Sequence, residues 1–219
     1  MTSPVSIKLV IFDMDGVIFE GRNFWLDLHR RYSTEADALD LAERYLKHDY
    51  ELLGRITTEI LWKGKPAAAF LDLVRQRKYQ NGVVELVKGL RQCGVMTAIV
   101  SSGPIQLAVR AQNDLGIDAI RANELKLIDD RVSGQINIAV PDSDKGRVSL
   151  ELMRSLAVTP AESAAVGDTE SDVDVAKVVG LPVAYDSNSA ELNSLARVHL
   201  RKGELFKLLD IVQQHRVGA

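Results

Sequence analysis

Two aspartates stand two residues apart at the end of a short apolar segment near the start of the chain. Residues 7–12 are apolar apart from Lys8, and Asp13 and Asp15 follow closely behind them. Such a segment is typical of a buried strand, and side chains two apart on an extended chain leave it on the same side. We expect the two carboxylates to share one metal ion or one phosphoryl group.

A second apolar segment leads into residues that are suited to binding an anion. Residues 95–100 are followed by Ser101, Ser102 and Gly103, and a predicted helix comes next. A hydroxyl and several main-chain N–H groups at a helix N-terminus favour an anion such as phosphate. Ser101 and Ser102 are therefore candidate phosphate-binding residues.

A third apolar segment supplies two more carboxylates. Residues 163–166 lead to Asp168 and Asp172, and two acidic side chains here are more than helix capping explains. Oxygen ligands suit Mg²⁺, which needs one or two carboxylates beside the substrate phosphate and keeps several waters. Lys145, near the start of another predicted helix, is placed to neutralise phosphate charge. These residues predict a Mg²⁺ ion beside a bound phosphate.

The pattern along the chain indicates how these residues are brought together. Strand and helix patterns alternate from residue 81 onward, whereas residues 21–80 show helical patterns alone. Alternation predicts a Rossmann-like α/β fold with a mostly parallel sheet and helices on both faces, which binds ligands at the carboxyl ends of its strands. We predict a core of residues 1–20 and 81–219, and a helical cap of residues 21–80 placed to cover the site.

The composition is that of an ordinary globular protein and excludes some classes of partner. Hydrophobic residues make up 46%, charged residues make up 26%, and the net charge is −3. A slightly negative chain is not suited to the nucleic-acid backbone. Apolar runs stay far below the roughly 18 residues of a membrane span, and the single cysteine, Cys93, cannot form an internal disulfide. We expect a cytoplasmic monomer or homodimer that binds neither nucleic acid nor membrane.

Taken together, these residues resemble the four motifs of the haloacid dehalogenase superfamily, in order and approximate spacing. The matching residues are Asp13-Met14-Asp15-Gly16, Ser101, Lys145 and Gly167-Asp168-x-x-x-Asp172. The resemblance extends to the phosphoserine phosphatase branch through residues 99–104, 122–125 and 132–134.

The resemblance implies a phosphatase mechanism and a role for each motif residue. Asp13 would attack phosphorus to form an aspartyl-phosphate, and Asp15 would serve as general acid and then general base. Mg²⁺ would be held by Asp13, the main-chain carbonyl of Asp15 and Asp168, while Asp172 orders its water shell. The phosphoryl oxygens would be held by Ser101, Ser102 and Lys145.

The substrate implied by the resemblance is phosphoserine or a similar small phosphorylated metabolite. Glu20 and Arg55 lie about where that branch places the groups that hold the substrate's amine and carboxylate. Gly16 stands where the branch usually carries Ser, and Asp-Gly at this place is also usual among sugar-phosphate enzymes. A phosphatase or phosphomutase for a sugar phosphate is therefore an alternative, and a catalytically silent module that binds phosphate or a partner is another. A dehalogenase is disfavoured because it needs no metal-binding carboxylates.

Overall fold

The computed structural model describes residues 6–217 and is built on one seven-stranded sheet. The strands are β1 (Leu9–Phe12), β2 (Met96–Pro104), β3 (Ala119–Ile128), β4 (Arg131–Asn137), β5 (Ser163–Gly167), β6 (Leu181–Tyr185) and β7 (Val198–Leu200). Their order across the sheet is β4-β3-β2-β1-β5-β6-β7. All neighbours run parallel except β3 and β4. The predicted α/β fold with a mostly parallel sheet is confirmed.

Four α-helices lie within residues 21–80, after β1. They are α1 (Phe24–Arg31), α2 (Glu35–Tyr45), α3 (Tyr50–Ile56) and α4 (Ala67–Gln76), and a π-helix (Thr57–Trp62) continues α3. We keep the name cap for residues 21–80 and the name core for residues 1–20 and 81–219, a division that stays a prediction.

The remaining helices alternate with strands. They are α5 (Val83–Gln92), α6 (Ile105–Leu115), α7 (Lys145–Ser155), α8 (Val173–Ala176), α9 (Ala190–Leu195) and α10 (Leu208–Val217). Short 3₁₀ turns lie at Pro160–Glu162, Glu170–Asp172 and Leu205–Lys207. In the part of the chain that the structure describes, no helix combines the length and the apolar character needed to cross a bilayer.

The first strand is buried on both faces of the sheet. Val10 and Phe12 belong to one hydrophobic cluster, while Leu9 and Ile11 belong to another on the opposite face. A strand covered on both sides needs apolar residues at every position, which explains its continuous apolar pattern. Because β1 is fixed between β2 and β5, the residue that follows it, Asp13, is delivered from a rigid support.

The cap is joined to the core by two chain segments that lie side by side. The N–H of Glu20 donates to the main-chain oxygen of Lys78 (2.8 Å), and the N–H of Gln80 donates to that of Ile18 (2.9 Å). The aromatic rings of Phe19 and Tyr79 stack with centroids 4.6 Å apart. The chain therefore leaves and re-enters the core at one place.

The cap also pairs with the hairpin formed by β3 and β4. Gly64 donates its N–H to the main-chain oxygen of Val132 (2.9 Å), and Val132 donates to that of Lys65 (2.9 Å). The N–H of Ala67 donates to the main-chain oxygen of Asp130 (2.8 Å). Three main-chain hydrogen bonds thus hold the cap against the edge of the sheet.

Two elements differ from the sequence pattern. The segments at 117–121 and 125–128, which predict two separate strands, are parts of the single strand β3, because β3 pairs with β2 first and β4 afterwards. Strand β2 continues through residues predicted to form a loop, with a register shift between Val100 and Pro104. Such a bulge re-aims side chains next to a site.

Candidate active site

The two aspartates after β1 have different environments. The N–H of Asp13 donates to the main-chain oxygen of Val166 in β5 (3.0 Å), so Asp13 continues the pairing of the sheet. The Asp15 carboxylate turns toward the cap, where it accepts from the N–H of Phe24 (2.7 Å) and from Nη2 of Arg77 (3.1 Å). Burial raises the pKa of Asp15, and the charge of Arg77 opposes that rise. Burial thus makes Asp15 hold a proton more readily, while its contacts with Arg77 and Phe24 favour the ionised carboxylate.

The turn after Asp15 brings a glycine against a third carboxylate. Gly16 has φ +84°, a left-handed conformation that side chains other than glycine rarely adopt. A Cβ added to Gly16 would lie 2.2 Å from Oδ2 of Asp168. Glycine at this position therefore lets the chain turn directly over Asp168.

Lys145 bridges two of the carboxylates, those of Asp13 and Asp172. Its Nζ donates to Oδ1 of Asp13 and to Oδ1 of Asp172, both at 2.9 Å, and the side chain is fully buried. Burial alone would lower the pKa of Lys145, but Asp13 and Asp172 raise it well above its usual value. The ammonium group is therefore charged and fixed in place.

Three carboxylates form a cluster that fits a divalent cation. One oxygen atom from each of Asp13, Asp168 and Asp172 lies within 4.8 Å of the others. Oδ1 of Asp168 is buried, and it has no hydrogen-bond partner among the described residues. A buried carboxylate without a partner is costly, and hard oxygen donors are the ligands that Mg²⁺ prefers. The donor set therefore fits Mg²⁺.

The electrostatics of the three-carboxylate cluster also favour a bound cation. Burial raises the pKa of Asp168 to about 8, and the charges of Asp13 and Asp172 add to the rise. Burial also raises the pKa of Asp13, against the opposing charge of Lys145. A bound cation reverses this balance because it stabilises the ionised carboxylates. The cluster has one ammonium group for three carboxylates, so a cation supplies the charge that it lacks.

Asp172 is already held by the main chain. Its Oδ2 accepts from the N–H of Asp168 (3.0 Å) and of Thr169 (3.1 Å), while its Oδ1 accepts from Lys145. A Cβ on Gly167 would lie 2.3 Å from the Cβ of Asp172. With both oxygens engaged, Asp172 is suited to orienting Asp168 and Lys145.

The bulged end of β2 forms the opposite wall of the site. Ser101 is buried and its Oγ accepts from the N–H of Gly103 (3.1 Å). The hydroxyl of Ser102 donates to Asp142 (3.0 Å), and its main-chain oxygen accepts from Nδ2 of Asn123 (2.9 Å). The loop therefore has a fixed shape before any ligand binds.

A cavity of about 390 Å³ lies between this site and the cap. Of the residues predicted from the sequence, Asp13, Asp15, Ser101, Ser102 and Lys145 line it. The other two predicted carboxylates, Asp168 and Asp172, belong with Asp13 to the cluster that fits a divalent cation. The structure thus brings the predicted catalytic, phosphate-binding and metal-binding residues to one place.

Two predicted substrate residues are not brought to this place. Glu20 and Arg55 are exposed, and among the described residues that line the cavity neither is present. Glu20 lies on the connection to the cap, and Arg55 is followed by Thr57 and Thr58, which do line the cavity. On α3 and the π-helix that continues it, the polar residues that line the cavity are Tyr50, Thr57 and Thr58, and none of them is a cation. A positively charged holder for a substrate carboxylate is therefore missing where we expected it.

Three functional residues escape the sequence reasoning. Arg22 lines the cavity, and its charge lowers the pKa of Asp168 in opposition to burial. Arg77 reaches Asp15 from the far end of the cap, and no motif marks it. Asn123 ties Ser102 to Val140, and the Ala-Asn pair at 122–123 was its sequence signal.

Comparison with known proteins gives a consistent family. The family model for haloacid dehalogenase-like hydrolases matches residues 10–177. A phosphoserine phosphatase of Polaromonas is 29% identical over 215 residues, covering 94% of this chain and 90% of its own. A phosphoserine phosphatase of Archaeoglobus fulgidus is 26% identical over 208 residues, and this match spans 94% of the present chain but 60% of that relative.

Solved structures share the fold. A phospho-aspartyl intermediate analogue of phosphoserine phosphatase has a TM-score of 0.80 at 22% identity, covering 94% of this chain and 99% of its own. A hydrolase of the same family from Salmonella enterica serovar Typhi has a TM-score of 0.83 at 16% identity, covering 96% and 73%. At these identities the likeness extends to the fold alone.

Proposed function

The chain belongs to the haloacid dehalogenase-like hydrolase family, its relatives identify it as a phosphatase, and we propose that it is a Mg²⁺-dependent phosphomonoesterase with an aspartyl-phosphate intermediate. Its substrate is a small phosphorylated metabolite. The observation that carries this proposal is the buried cluster of three carboxylates and one ammonium group beneath a cavity.

Asp13 is the nucleophile of the proposed reaction. It stands at the end of the buried strand β1, lines the cavity and has one oxygen held by Lys145. Its free oxygen attacks phosphorus, a new P–O bond forms to Asp13, and the bond between phosphorus and the alcohol oxygen breaks. Forming an intermediate on the enzyme divides one difficult displacement into two easier ones.

Asp15 moves the proton in both steps. It gives its proton to the leaving alcohol oxygen. It then takes a proton from the water that attacks phosphorus, the P–O bond to Asp13 breaks, and inorganic phosphate leaves. The N–H of Phe24 and the guanidinium of Arg77 hold its carboxyl in place, and burial favours the protonated form that the first step requires. Such acid and base work typically contributes about 10²–10⁴-fold to the rate.

The phosphoryl oxygens are bound by residues that carry fixed donors. Ser101, Ser102 and Lys145 all line the cavity, and they supply a hydroxyl, a main-chain N–H and an ammonium group. Donors that are fixed before the reaction stabilise transition-state charge without reorganising. This cradle recognises the phosphate and is indifferent to the alcohol.

The proposed cofactor is Mg²⁺, which Asp13, Asp168 and the main-chain carbonyl of Asp15 would hold, while Asp172 would orient the groups around it. When bound, the metal shields the negative charge of the phosphate from the attacking carboxylate. The unpartnered Oδ1 of Asp168 supports this assignment.

The names of the relatives favour phosphoserine as the substrate. The cavity of about 390 Å³ is in the range of small-molecule sites. Glu20 and Arg55 remain the proposed holders of its amine and carboxylate, although both are exposed and neither lines the cavity. The phosphoryl chemistry does not depend on their role.

The test is Mg²⁺-dependent phosphate release from L-phosphoserine, from simple alkyl phosphates and from sugar phosphates, with acid quenching to trap the phosphorylated enzyme. We expect release with Mg²⁺, loss on chelation, and a mass increase of one phosphoryl group. Asp13→Asn should abolish both the release and the mass increase, whereas the exposed Asp210→Asn should preserve them.

Two results would contradict the proposal. Absence of phosphate release from every compound would favour a module that binds phosphate without turning it over. A phosphorylated enzyme that resists water and passes its phosphoryl group to a sugar phosphate would identify a phosphomutase.

A further inference from the structure

The cavity has two ends with different chemistry. At the core end it is lined by the catalytic aspartates, the serine loop and Lys145. At the cap end its wall is apolar, and the residues that form it include Leu26, Leu39, Ala42, Leu46, Leu53 and Ile136. These come from helices α1, α2 and α3, from the residue that follows α2 and from strand β4. The part of a substrate beyond the phosphate therefore meets hydrocarbon side chains from several directions.

Polar side chains on this wall are mostly engaged within the protein. The indole Nε1 of Trp25 donates to the main-chain oxygen of Ser102 (2.8 Å), and the hydroxyl of Thr58 donates to a main-chain oxygen one turn earlier (2.9 Å). The ring of His29 shares a hydrogen bond with a neighbouring hydroxyl (2.8 Å) and is neutral, since burial lowers its pKa to about 4. The wall therefore offers no charged partner to a ligand from these residues.

Charged groups that line the cavity gather at the phosphate end. Asp142 accepts from the hydroxyl of Ser102 (3.0 Å), and Glu170 accepts from that of Ser189 (2.5 Å). Arg22 precedes α1, lines the cavity and lowers the pKa of Asp168 through its charge. Apart from Arg22, the described cap residues that line the cavity include no carboxylate, lysine or arginine.

This distribution disfavours an amino acid as the leaving group. An ammonium or a carboxylate that is moved from water to an apolar wall loses its hydration, and the loss is large unless a partner of opposite charge replaces it. An apolar alcohol has no such requirement and gains from leaving water. The wall thus selects for hydrocarbon and against charge.

We propose that the substrate is a phosphate monoester of an apolar, uncharged alcohol, aliphatic or aromatic, whose hydrocarbon part occupies the cap end of the cavity. The inference rests on the proposed phosphatase function and concerns the leaving group of that reaction. One water is consumed, and its oxygen becomes part of the inorganic phosphate that is released. The free alcohol takes the proton that Asp15 delivers.

The experiment compares n-alkyl phosphates from ethyl to hexyl with L-phosphoserine, as kcat/KM in saturating Mg²⁺. Ethyl phosphate is the matched partner of phosphoserine, since it lacks only the ammonium and carboxylate groups. We expect kcat/KM to rise by about fourfold for each methylene group that enters the apolar wall. We also expect ethyl phosphate to be used better than phosphoserine.

Substitutions in the wall locate the effect. Leu53→Ala and Leu46→Ala should reduce kcat/KM for hexyl phosphate severalfold more than for ethyl phosphate, because the longer chain loses contacts that the shorter one never makes. Ile60→Ala is the matched control: it removes an aliphatic side chain from the same cap, but Ile60 is 72% exposed and lies outside the cavity wall. It should leave the chain-length series as in the wild type.

The outcomes separate the two proposals. A flat chain-length series with phosphoserine preferred over ethyl phosphate would overturn the apolar-alcohol inference and leave the phosphatase intact. Absence of phosphate release from every ester would defeat the proposed function and this inference together.

Discussion

At the scale of single residues, the site uses one chemical group in different ways. Asp13 is held by a buried ammonium, Asp15 by a guanidinium and a main-chain N–H, and one oxygen of Asp168 by no described residue. In the proposed reaction, position and hydrogen-bond partner therefore distinguish the carboxyl that attacks, the one that carries the proton and the one that binds the cation. The roles follow from the environments, since the three side chains are identical.

The unpartnered oxygen of Asp168 gives a prediction that does not require turnover. Mg²⁺ should raise the melting temperature of the wild type, by the equivalent of about 2.7 kcal/mol at a hundredfold excess over its Kd. Asp168→Asn should abolish this rise, whereas Asp210→Asn should retain it. Without Mg²⁺ we expect Asp168→Asn to be at least as stable as the wild type, because it removes a costly buried carboxyl. Thermal unfolding with and without the metal measures both effects. A melting temperature of the wild type that does not change with Mg²⁺ would contradict the proposed metal site.

The sequence was informative about residues that follow strands and uninformative about those that arrive from the cap. Asp13 and Asp168 come directly after an apolar strand, Ser101 follows the apolar part of β2, and strands of one parallel sheet end at the same edge. Arg77 stands 62 residues from Asp15 and meets it only because the cap folds back. A contact of that kind depends on tertiary packing, which local patterns do not encode.

At the scale of elements, helix α7 is placed by a close approach to α8. A Cβ added to Gly146 would lie 2.6 Å from the main-chain oxygen of Asp174, and Gly146 follows the site lysine, Lys145. The two helices can touch because no side chain separates them. The position of the lysine ammonium is therefore set by a glycine beside it.

We accordingly predict that Gly146→Ala destabilises the protein by about 1–3 kcal/mol, the usual cost of overpacking, and lowers phosphate release by displacing Lys145. Gly89→Ala in helix α5 is the control, since its added Cβ would meet only the flexible end of Leu209. Urea unfolding and an activity assay measure the two effects. A Gly146→Ala protein with wild-type stability and activity would show that α7 has room to move.

Helix α1 carries a buried histidine that should make stability depend on pH. Burial lowers the pKa of His29 from 6.5 to about 4. Between these values the unfolded chain binds a proton at this residue and the folded chain does not, so the free energy of unfolding falls as pH decreases from about 6.5 to about 4. The slope from one proton is at most about 1.4 kcal/mol per pH unit.

His29→Phe should make this fall less steep, because the aromatic ring can still pack on Trp62 but no longer titrates. The same substitution at the exposed His48 is the control and should keep the slope of the wild type. Urea unfolding at several pH values gives both slopes. Equal slopes for His29→Phe and the wild type would mean that His29 titrates alike in the folded and unfolded chain.

Elements with a clear period were predictable, and those whose form depends on a neighbour were not. The apolar pattern of β1 and the helices of the cap were evident from the sequence. The π-helix Thr57–Trp62 was not, because its residues have the same apolar spacing as an α-helix. Nor was the continuity of β3, which pairs with a different partner in each half.

At the scale of the whole molecule, Arg77 couples the cap to Asp15, the proposed catalytic acid. Its guanidinium donates to Asp15 of the core (3.1 Å) and to Asp27 of α1 (2.5 Å), and its side chain is 10% exposed. Removing one partner of a buried ion pair leaves the other charges unpaired, at a cost of about 3–5 kcal/mol. The fork of a guanidinium reaches both carboxylates at once, which an ammonium cannot do equally well.

We therefore expect Arg77→Ala to lose about 3–5 kcal/mol of stability and much of its kcat, and Arg77→Lys to recover only part of each. Arg75→Ala is the matched control. It removes the exposed pair with Asp72 and should change stability by less than about 1 kcal/mol. Urea unfolding and steady-state kinetics make the comparison. Full recovery by Arg77→Lys would show that a single charge is sufficient.

The two connections between core and cap run side by side, joined by hydrogen bonds from Glu20 to Lys78 and from Gln80 to Ile18. The cap is an insertion in the core whose two ends lie next to each other, so for the core it is equivalent to a long loop. The free-energy cost of closing a loop rises by only about 0.6 kcal/mol for each doubling of its length. Recombination can therefore lengthen, shorten or exchange the cap at little entropic cost, provided that its hydrogen bonds to the β3–β4 hairpin and the contact of Arg77 with Asp15 are kept. In the proposed reaction the cap supplies most of the wall that meets the alcohol, so substrate choice and most of the phosphoryl chemistry are encoded by separate stretches of the gene.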